Sequence, residues 1–237
     1  MFNFYHLVKK NTKFLNPHYD DHGFSIPFRA IIASSSGSGK SNMALNLIYA
    51  MNQSFHKIIL CVKSGDEPLY QFLKDKLEGR VEIFENGEIA PLIQDTEDTD
   101  KNIIKGGYRM SKLIIFDDLM LENKATQELI AQFYIRGRKF GYSCIYISQS
   151  FYAIPINIRK NSNYFILGGG LLSRDLKSIL SSTAGSSDKN SLREFETAYK
   201  KFTAKHMTVC IIEVDKKIAR AKINIKELTD DDIYYFQ

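Results

Sequence analysis

Cysteine, proline and long apolar runs are scarce in this chain, and each shortage removes a class of protein. The three cysteines, Cys61, Cys144 and Cys210, lie far apart and form no Cys-x-x-Cys pair. That spacing excludes a cysteine-rich zinc site. Their odd number fits a reducing compartment, and Cys61 and Cys144, inside apolar runs, are expected to be buried free thiols. With 5 prolines and 14 glycines in 237 residues, the chain is neither disordered nor repetitive in composition. No run approaches the ~18 apolar residues of a membrane span. In the opening MFNFYHLVKKNTKF the basic residues follow the aromatics, which is not the order of a signal peptide. Neither sign of charge dominates: 32 Lys and Arg against 27 Asp and Glu leave +5. This rules out an acidic tail protein. It permits a polyanionic partner without establishing one. There is no zinc-finger spacing and no aromatic-rich basic face of the RRM kind.

What is present reads as a globular α/β chain. Hydrophobic residues make up 44% and charged residues 25%, ordinary globular usage, and the length suits one or two domains. Residues 1–25 mix aromatics with polar residues and predict an irregular arm packing by Phe2, Phe4, Tyr5 and Phe14. Strands are predicted at 28–33, 56–62, 81–84, 113–116, 143–147 and 164–167. Helices are predicted at 42–51, 67–77, 125–139, 171–180 and 192–202. The acidic stretch QDTEDTDKN reads as a surface excursion. Strand and helix alternate, and most strands lack period-two polarity, so both faces of the sheet are covered. That pattern predicts a mainly parallel sheet of the α/β class. Strands at 207–214 and 219–225, around Asp215-Lys216-Lys217, predict an antiparallel edge hairpin at 207–225. With no internal repeat, residues 26–237 are expected to form a single domain.

The chemistry concentrates at three strand ends. After the first strand comes SSSGSGKS, and a helix follows it. Small residues at Ser36, Gly37, Ser38 and Gly39 let several backbone N–H groups turn inward on a phosphate, and the helix adds its positive end. Lys40 reaches the β- and γ-phosphates and Ser41 ligates Mg²⁺. The usual phosphate-loop pattern opens with glycine; here that residue is Ser34, which raises a question of loop geometry. The apolar strand LIIF then delivers Asp117 and Asp118 at its carboxyl end, where α/β proteins bind ligands. Asp117 is expected to hold the Mg²⁺ shell and Asp118 to orient an attacking water, although many motor ATPases carry the longer glutamate there. A third strand ends in Gln149, placed to sense the γ-phosphate or position the water. Arg136 and Arg138 end the helix before that strand. They serve either as cations at a helix terminus or as arginine fingers to a neighbour's phosphate. Arg159 is a further candidate.

Taken together, SIPFRAIIASSSGSGKS, VKSGDEPLYQFL, KLIIFDDLM, YIRGRKFGYSCIYISQS and PINIRKNSNYFIL resemble the genome-packaging ATPases of large double-stranded DNA viruses. These form the poxvirus-type branch of the FtsK/HerA superfamily, and the compact members found in such viruses and virophages are the nearest in size. The likeness covers roughly residues 24–170. It implies an additional-strand P-loop core with an antiparallel edge, and a ring-forming homo-oligomer that uses ATP and Mg²⁺ to drive double-stranded DNA into a preformed capsid. It implies Lys40 and Ser41 as the phosphate-loop pair, Asp117 and Asp118 as the acidic pair and Gln149 as the glutamine of the next strand. Arg138, with Arg136 beside it, falls where the family places a trans-acting arginine, and Arg159 and Asn161 match a further polar pair. Capsid or portal-vertex proteins follow as partners, and the host cytoplasm at a viral assembly site, or the virion, as location. DNA-contact candidates are Lys105–Lys112, the Arg136–Lys139 cluster and the Lys216–Lys222 turn.

Two other functions compete. A small P-loop nucleotide kinase or GTPase would need an arginine-rich lid or an Asn-Lys-x-Asp base reader. Asn123-Lys124 is followed by Ala125-Thr126, so the reader is absent. A vestigial nucleotide-binding capsid-accessory protein draws on Ser34 and the short Asp118 alone.

Overall fold

The computed structural model describes residues 13–93, 104–184, 188–205, 208–214, 218–222 and 233–236. Its elements run α1 (Tyr19–His22), β1 (Arg29–Ala33), α2 (Lys40–Ala50), β2 (Phe55–Val62), α3 (Pro68–Lys76) and β3 (Val81–Phe84). A small hairpin of β4 (Ile104–Lys105) and β5 (Tyr108–Arg109) precedes β6 (Ser111–Asp117) and α4 (Lys124–Arg136). Then come β7 (Tyr142–Ser148), α5 (Ile156–Asn161), β8 (Tyr164–Leu167), α6 (Ser173–Thr183) and α7 (Lys189–Phe202). The described strands close with β9 (Val209–Glu213), β10 (Ile218–Lys222) and β11 (Ile233–Tyr235).

Nine strands form one sheet in the order β11-β10-β9-β8-β1-β7-β6-β2-β3. From β8 to β3 every pairing is parallel. The outer three strands are antiparallel to their neighbours. β7 is inserted between the phosphate-loop strand β1 and the acidic strand β6, which is the additional-strand arrangement. Alternate residues along each central strand enter opposite cores. Ile31 and Ala33 of β1 face α4–α7, while Ala30 and Ile32 face α2 and α3. Covering both faces is what removes the polar alternation from these strands.

The expected hairpin is therefore part of a three-stranded antiparallel edge, and β9 continues the main sheet by pairing with β8. The turn at 215–217 lies outside the described residues, as do Phe2, Phe4, Tyr5 and the acidic stretch at 94–102. Phe14 of the expected arm is described. It bridges to Arg109, and its ring lies 3.2 Å from where a Cβ on Gly141 would stand. Gly141 has φ 75°, so both its conformation and its neighbour favour glycine there. The expected helix to Lys139 stops at Arg136 and tightens into a 3₁₀ turn over Gly137–Phe140. Gly137 has little helix propensity, and left-handed Gly141 closes the turn. The short elements α1, α5, β4, β5 and β11 were not anticipated, because runs of two to six residues carry too little periodicity. All three cysteines are free and buried. Burial pushes the Cys61 and Cys210 thiols up to about 12. Among the described residues no helix is long and apolar enough to cross a membrane.

Candidate functional site

Three neighbouring parallel strands end together. Ala33 of β1 is level with Ser148 of β7, and Asp117 of β6 is level with Ile147. Gln149, the residue after β7, is exposed and stands between the loop that follows β1 and the two aspartates at the end of β6. Lys40, Ser41, Asp117, Asp118 and Gln149 thus share one edge of the sheet.

The loop from Ser34 to Gly39 curls tightly. Gly37 and Gly39 have φ 72° and 82°, the left-handed values that residues with a Cβ avoid. Ser38 donates its hydroxyl to the Ser35 carbonyl at 2.7 Å. Lys40, the first residue of α2, folds back over the loop, and its Nζ donates to the carbonyls of Ser34 (3.1 Å) and Ser35 (2.8 Å). Partial burial lowers the Lys40 pKa, and the charges of Asp117 and Asp118 act to raise it. Both acids are thus electrostatically coupled to the loop.

The question raised by Ser34 has a structural answer. Ser34 is fully buried and is not among the described residues with positive φ. Its backbone is therefore one that serine accepts. Its hydroxyl donates to the Gly169 carbonyl at 2.9 Å. Room for that side chain comes from Gly168, where an added Cβ would sit 2.5 Å from Ser34 Oγ. Gly170 makes the same allowance for Ser35, again at 2.5 Å, with φ 84°. The Gly168-Gly169-Gly170 run is thus the mould in which the serine-rich loop is seated. Tyr199 of α7 fixes this run by donating to the Gly168 carbonyl at 2.6 Å and accepting from Leu171 N at 3.1 Å.

Asp117 lies where burial dominates. Its pKa is pushed up to about 6, chiefly by desolvation, with Glu67 and Asp118 adding to the rise; a hydrogen bond from Tyr70 opposes it. Tyr70 O–H donates to Asp117 Oδ2 at 2.5 Å. Burial, followed by the Asp117 charge, pushes the Tyr70 phenol far up, so it remains a donor. Asp118 is exposed with φ 56°, a conformation that aspartate adopts more readily than most residues. A cavity of about 360 Å³ opens here between Lys63, Asp66, Glu67, Tyr70 and the two aspartates. A second, of about 290 Å³, lies on the other side of the loop between Ser35–Ser38, Gly168, Gly169, Thr203, Lys205 and Thr208.

Gln149 belongs to a loop tied to α6. Asp175, 4% exposed, accepts from Ser150 Oγ at 2.7 Å, Tyr152 N at 2.8 Å and Leu172 N at 3.3 Å. Sequence reasoning passed over Tyr70, the Gly168–Gly170 run, Asp175 and Tyr199. Only the glycine run had a visible signal: three glycines at the end of a predicted strand.

The arginines are not brought to this edge. Arg136 and Arg138 are exposed and lie just before β7 begins, at the amino ends of the parallel strands. The seven residues of β7 separate them from Gln149, roughly 20 Å at the usual rise. A role for them at this chain's own loop is therefore excluded. Arg159, on α5, stacks its guanidinium 5.6 Å from the centre of the Phe151 ring. Asn161 turns back onto Asn157. One expected DNA-facing cation is also misplaced: Lys112 is 3% exposed. Its Nζ donates to the Ile93 carbonyl and lies over the Tyr142 ring. The chain at Ile93 and the Tyr142 ring lie against it, so it does not face a polyanion.

Comparison with known proteins adds three findings. The family model described as Poxvirus A32 protein matches residues 18–234. No curated protein matches the sequence. Among solved structures, the chain is similar to B204, the DNA-packaging ATPase from Sulfolobus turreted icosahedral virus, with TM-score 0.55 and 13% identity over 84% of this chain and 98% of that one. The genome-packaging NTPase B204 of Sulfolobus turreted icosahedral virus 2, in complex with AMPPCP, gives 0.54 and 14% over 82% and 96%. The cytoplasmic domain of the type VII secretion ATPase EccC from Thermomonospora curvata gives 0.55 and 14% over 83% of this chain and 25% of that one. At such identities the structural likenesses speak to the fold.

Proposed function

The chain belongs to the Poxvirus A32 protein family, and from that premise we propose that it is an ATP-hydrolysing motor subunit that moves double-stranded viral DNA into a preformed capsid. The observation that carries the reading is the alignment of three strand ends, with Lys40 and Ser41 after β1, Gln149 after β7, and Asp117 and Asp118 at the end of β6.

In this reading Ser36–Lys40 cradle the phosphates through backbone N–H groups and the start of α2. Lys40 exchanges its contacts with the Ser34 and Ser35 carbonyls for the β- and γ-phosphates. Asp118 orients the attacking water and Gln149 contacts the γ-phosphate or that water. Mg²⁺ fits the donors present. Ser41 and Asp117 offer hard oxygens, and no group of three or more His, Cys, Asp or Glu among the described residues forms a protein cage. Mg²⁺ that keeps its waters and the phosphate oxygens needs only one or two protein ligands. When bound, it neutralises charge on the phosphates. Arg136 and Arg138, at the far edge, act on a neighbouring copy, which makes the working form a closed homo-oligomer. The double-stranded DNA is held through its backbone, capsid or portal-vertex proteins receive the motor, and it works at the viral assembly site in the host cytoplasm.

The test is ATP turnover with and without double-stranded DNA, for the wild type and for Lys40→Ala. Turnover is expected to rise with DNA and to vanish in the variant. Turnover that survives Lys40→Ala would overturn the site, and indifference of the assembled protein to DNA would overturn the motor.

A further inference from the structure

The stretch VKSGDEPLYQFL carries part of the family resemblance, yet none of its residues has a role in the reading above. α3 supplies one. Tyr70 is 1% exposed, and its ring is packed among the apolar residues of the α2–α3 side of the sheet. Its hydroxyl emerges from that core at the site and donates to Asp117 Oδ2. That hydroxyl therefore touches the acid assigned to Mg²⁺. The acid is carried by β6, and Tyr70 is anchored on another element, α3.

We infer that Tyr70 is a positioning residue for the metal. It fixes the orientation of the Asp117 carboxylate before nucleotide arrives. The inference rests on the nucleotide reading of this site. Two features make such a strut necessary. Asp117 borders an open cavity that also holds Asp66, Glu67 and Asp118, and the charges of Glu67 and Asp118 act on it. Like charges on that side push the carboxylate away from them, and a donor that pins one oxygen holds it in place. The buried ring of Tyr70 has little freedom to follow it, so the pinned oxygen is Oδ2. Partners of this outer kind typically change metal affinity 10- to 100-fold when removed.

Tyr70→Phe keeps the ring and deletes only the hydroxyl. The measurement is fluorescence titration of a non-hydrolysable fluorescent ATP analogue with and without Mg²⁺, alongside the Mg²⁺ concentration for half-maximal hydrolysis. Expected are a half-saturating Mg²⁺ concentration raised about tenfold or more and metal-free analogue binding unchanged. KM for ATP at saturating Mg²⁺ should also stay unchanged. Added to Asp117→Asn, the same substitution should no longer change the Mg²⁺ dependence of analogue binding, because Tyr70 acts through Asp117. An unaltered Mg²⁺ requirement in Tyr70→Phe overturns the inference. So does an equal loss of metal-free binding, which would mark a merely structural role. A wild type that binds no analogue in either condition overturns the nucleotide reading instead.

Discussion

Gly168→Ala tests whether Ser34 and Gly168 are complementary, and the structure sets its magnitude. A Cβ at position 168 would lie 2.5 Å from Ser34 Oγ and 2.9 Å from Ser34 Cβ. Neither atom can give way freely. Ser34 is fully buried and its hydroxyl is bonded to the Gly169 carbonyl. Forcing a methyl into such a site costs about 1–3 kcal/mol. For a chain of this size that lowers the unfolding midpoint by about 2–4 °C per kcal/mol. Ser34→Gly removes both clashing atoms. By itself it costs about 1 kcal/mol for the lost hydrogen bond and about 0.5–1 kcal/mol for the added backbone freedom. Ser34→Gly also restores the residue with which the usual phosphate-loop pattern opens. The double variant should therefore be no less stable than Ser34→Gly alone, giving a favourable coupling of about 1–3 kcal/mol. Thermal and denaturant unfolding of the four proteins measure it. Additive losses, with Gly168→Ala equally costly in both backgrounds, would refute the idea that Gly168 makes room for Ser34.

Two further outcomes follow from the same geometry. Burial holds the Asp117 carboxyl at about 6 against an ordinary 3.8, a difference worth at most about 3 kcal/mol against the ionised form. The folded state then binds the proton more tightly than the unfolded chain, so stability falls as pH rises from about 4 to 6 and stays reduced above that. Without nucleotide or metal, Asp117→Asn should melt higher than the wild type at pH 8 and lose most of that advantage by pH 4.5, while abolishing turnover. A lower melting point at pH 8, or a pH-independent gap, would contradict the assignment. For the arginines, Lys40→Ala and the double variant Arg136→Ala/Arg138→Ala should each be inactive alone. Mixed in equal amounts they should recover up to about one quarter of wild-type turnover, the share of interfaces joining an intact loop to an intact arginine in a closed ring. Absence of recovery would remove these arginines from the reaction.

The local motifs were legible because their determinants are local. Strand, small-residue loop and helix follow one another from Arg29 to Ala50, and apolar strands without polar alternation report coverage on both faces. Pro68 opened α3 as expected. The antiparallel edge was legible as a hairpin but not as three strands, since β11 has only three residues. Lys112 was misread for a related reason. Its charge suggested exposure, but β6 places it beneath the chain at Ile93, and the aliphatic stem of lysine tolerates such a position.

By itself, the amino-acid order determined the class of the sheet and the identity of the groups that reach its carboxyl edge: Lys40, Ser41, Asp117, Asp118 and Gln149. Parallel strands joined by helices carry their strand-end residues to a common side. The tertiary structure decided which of the remaining residues serve that edge. Tyr70 meets Asp117 from 47 positions away, and Ser34 meets Gly169 across 135. Arg138 stands only 11 residues before Gln149 in the sequence, yet lies at the opposite end of β7. Sequence distance along an extended strand becomes distance in space, whereas a sheet crossover erases it. Only the folded chain shows which of the two applies to a given pair.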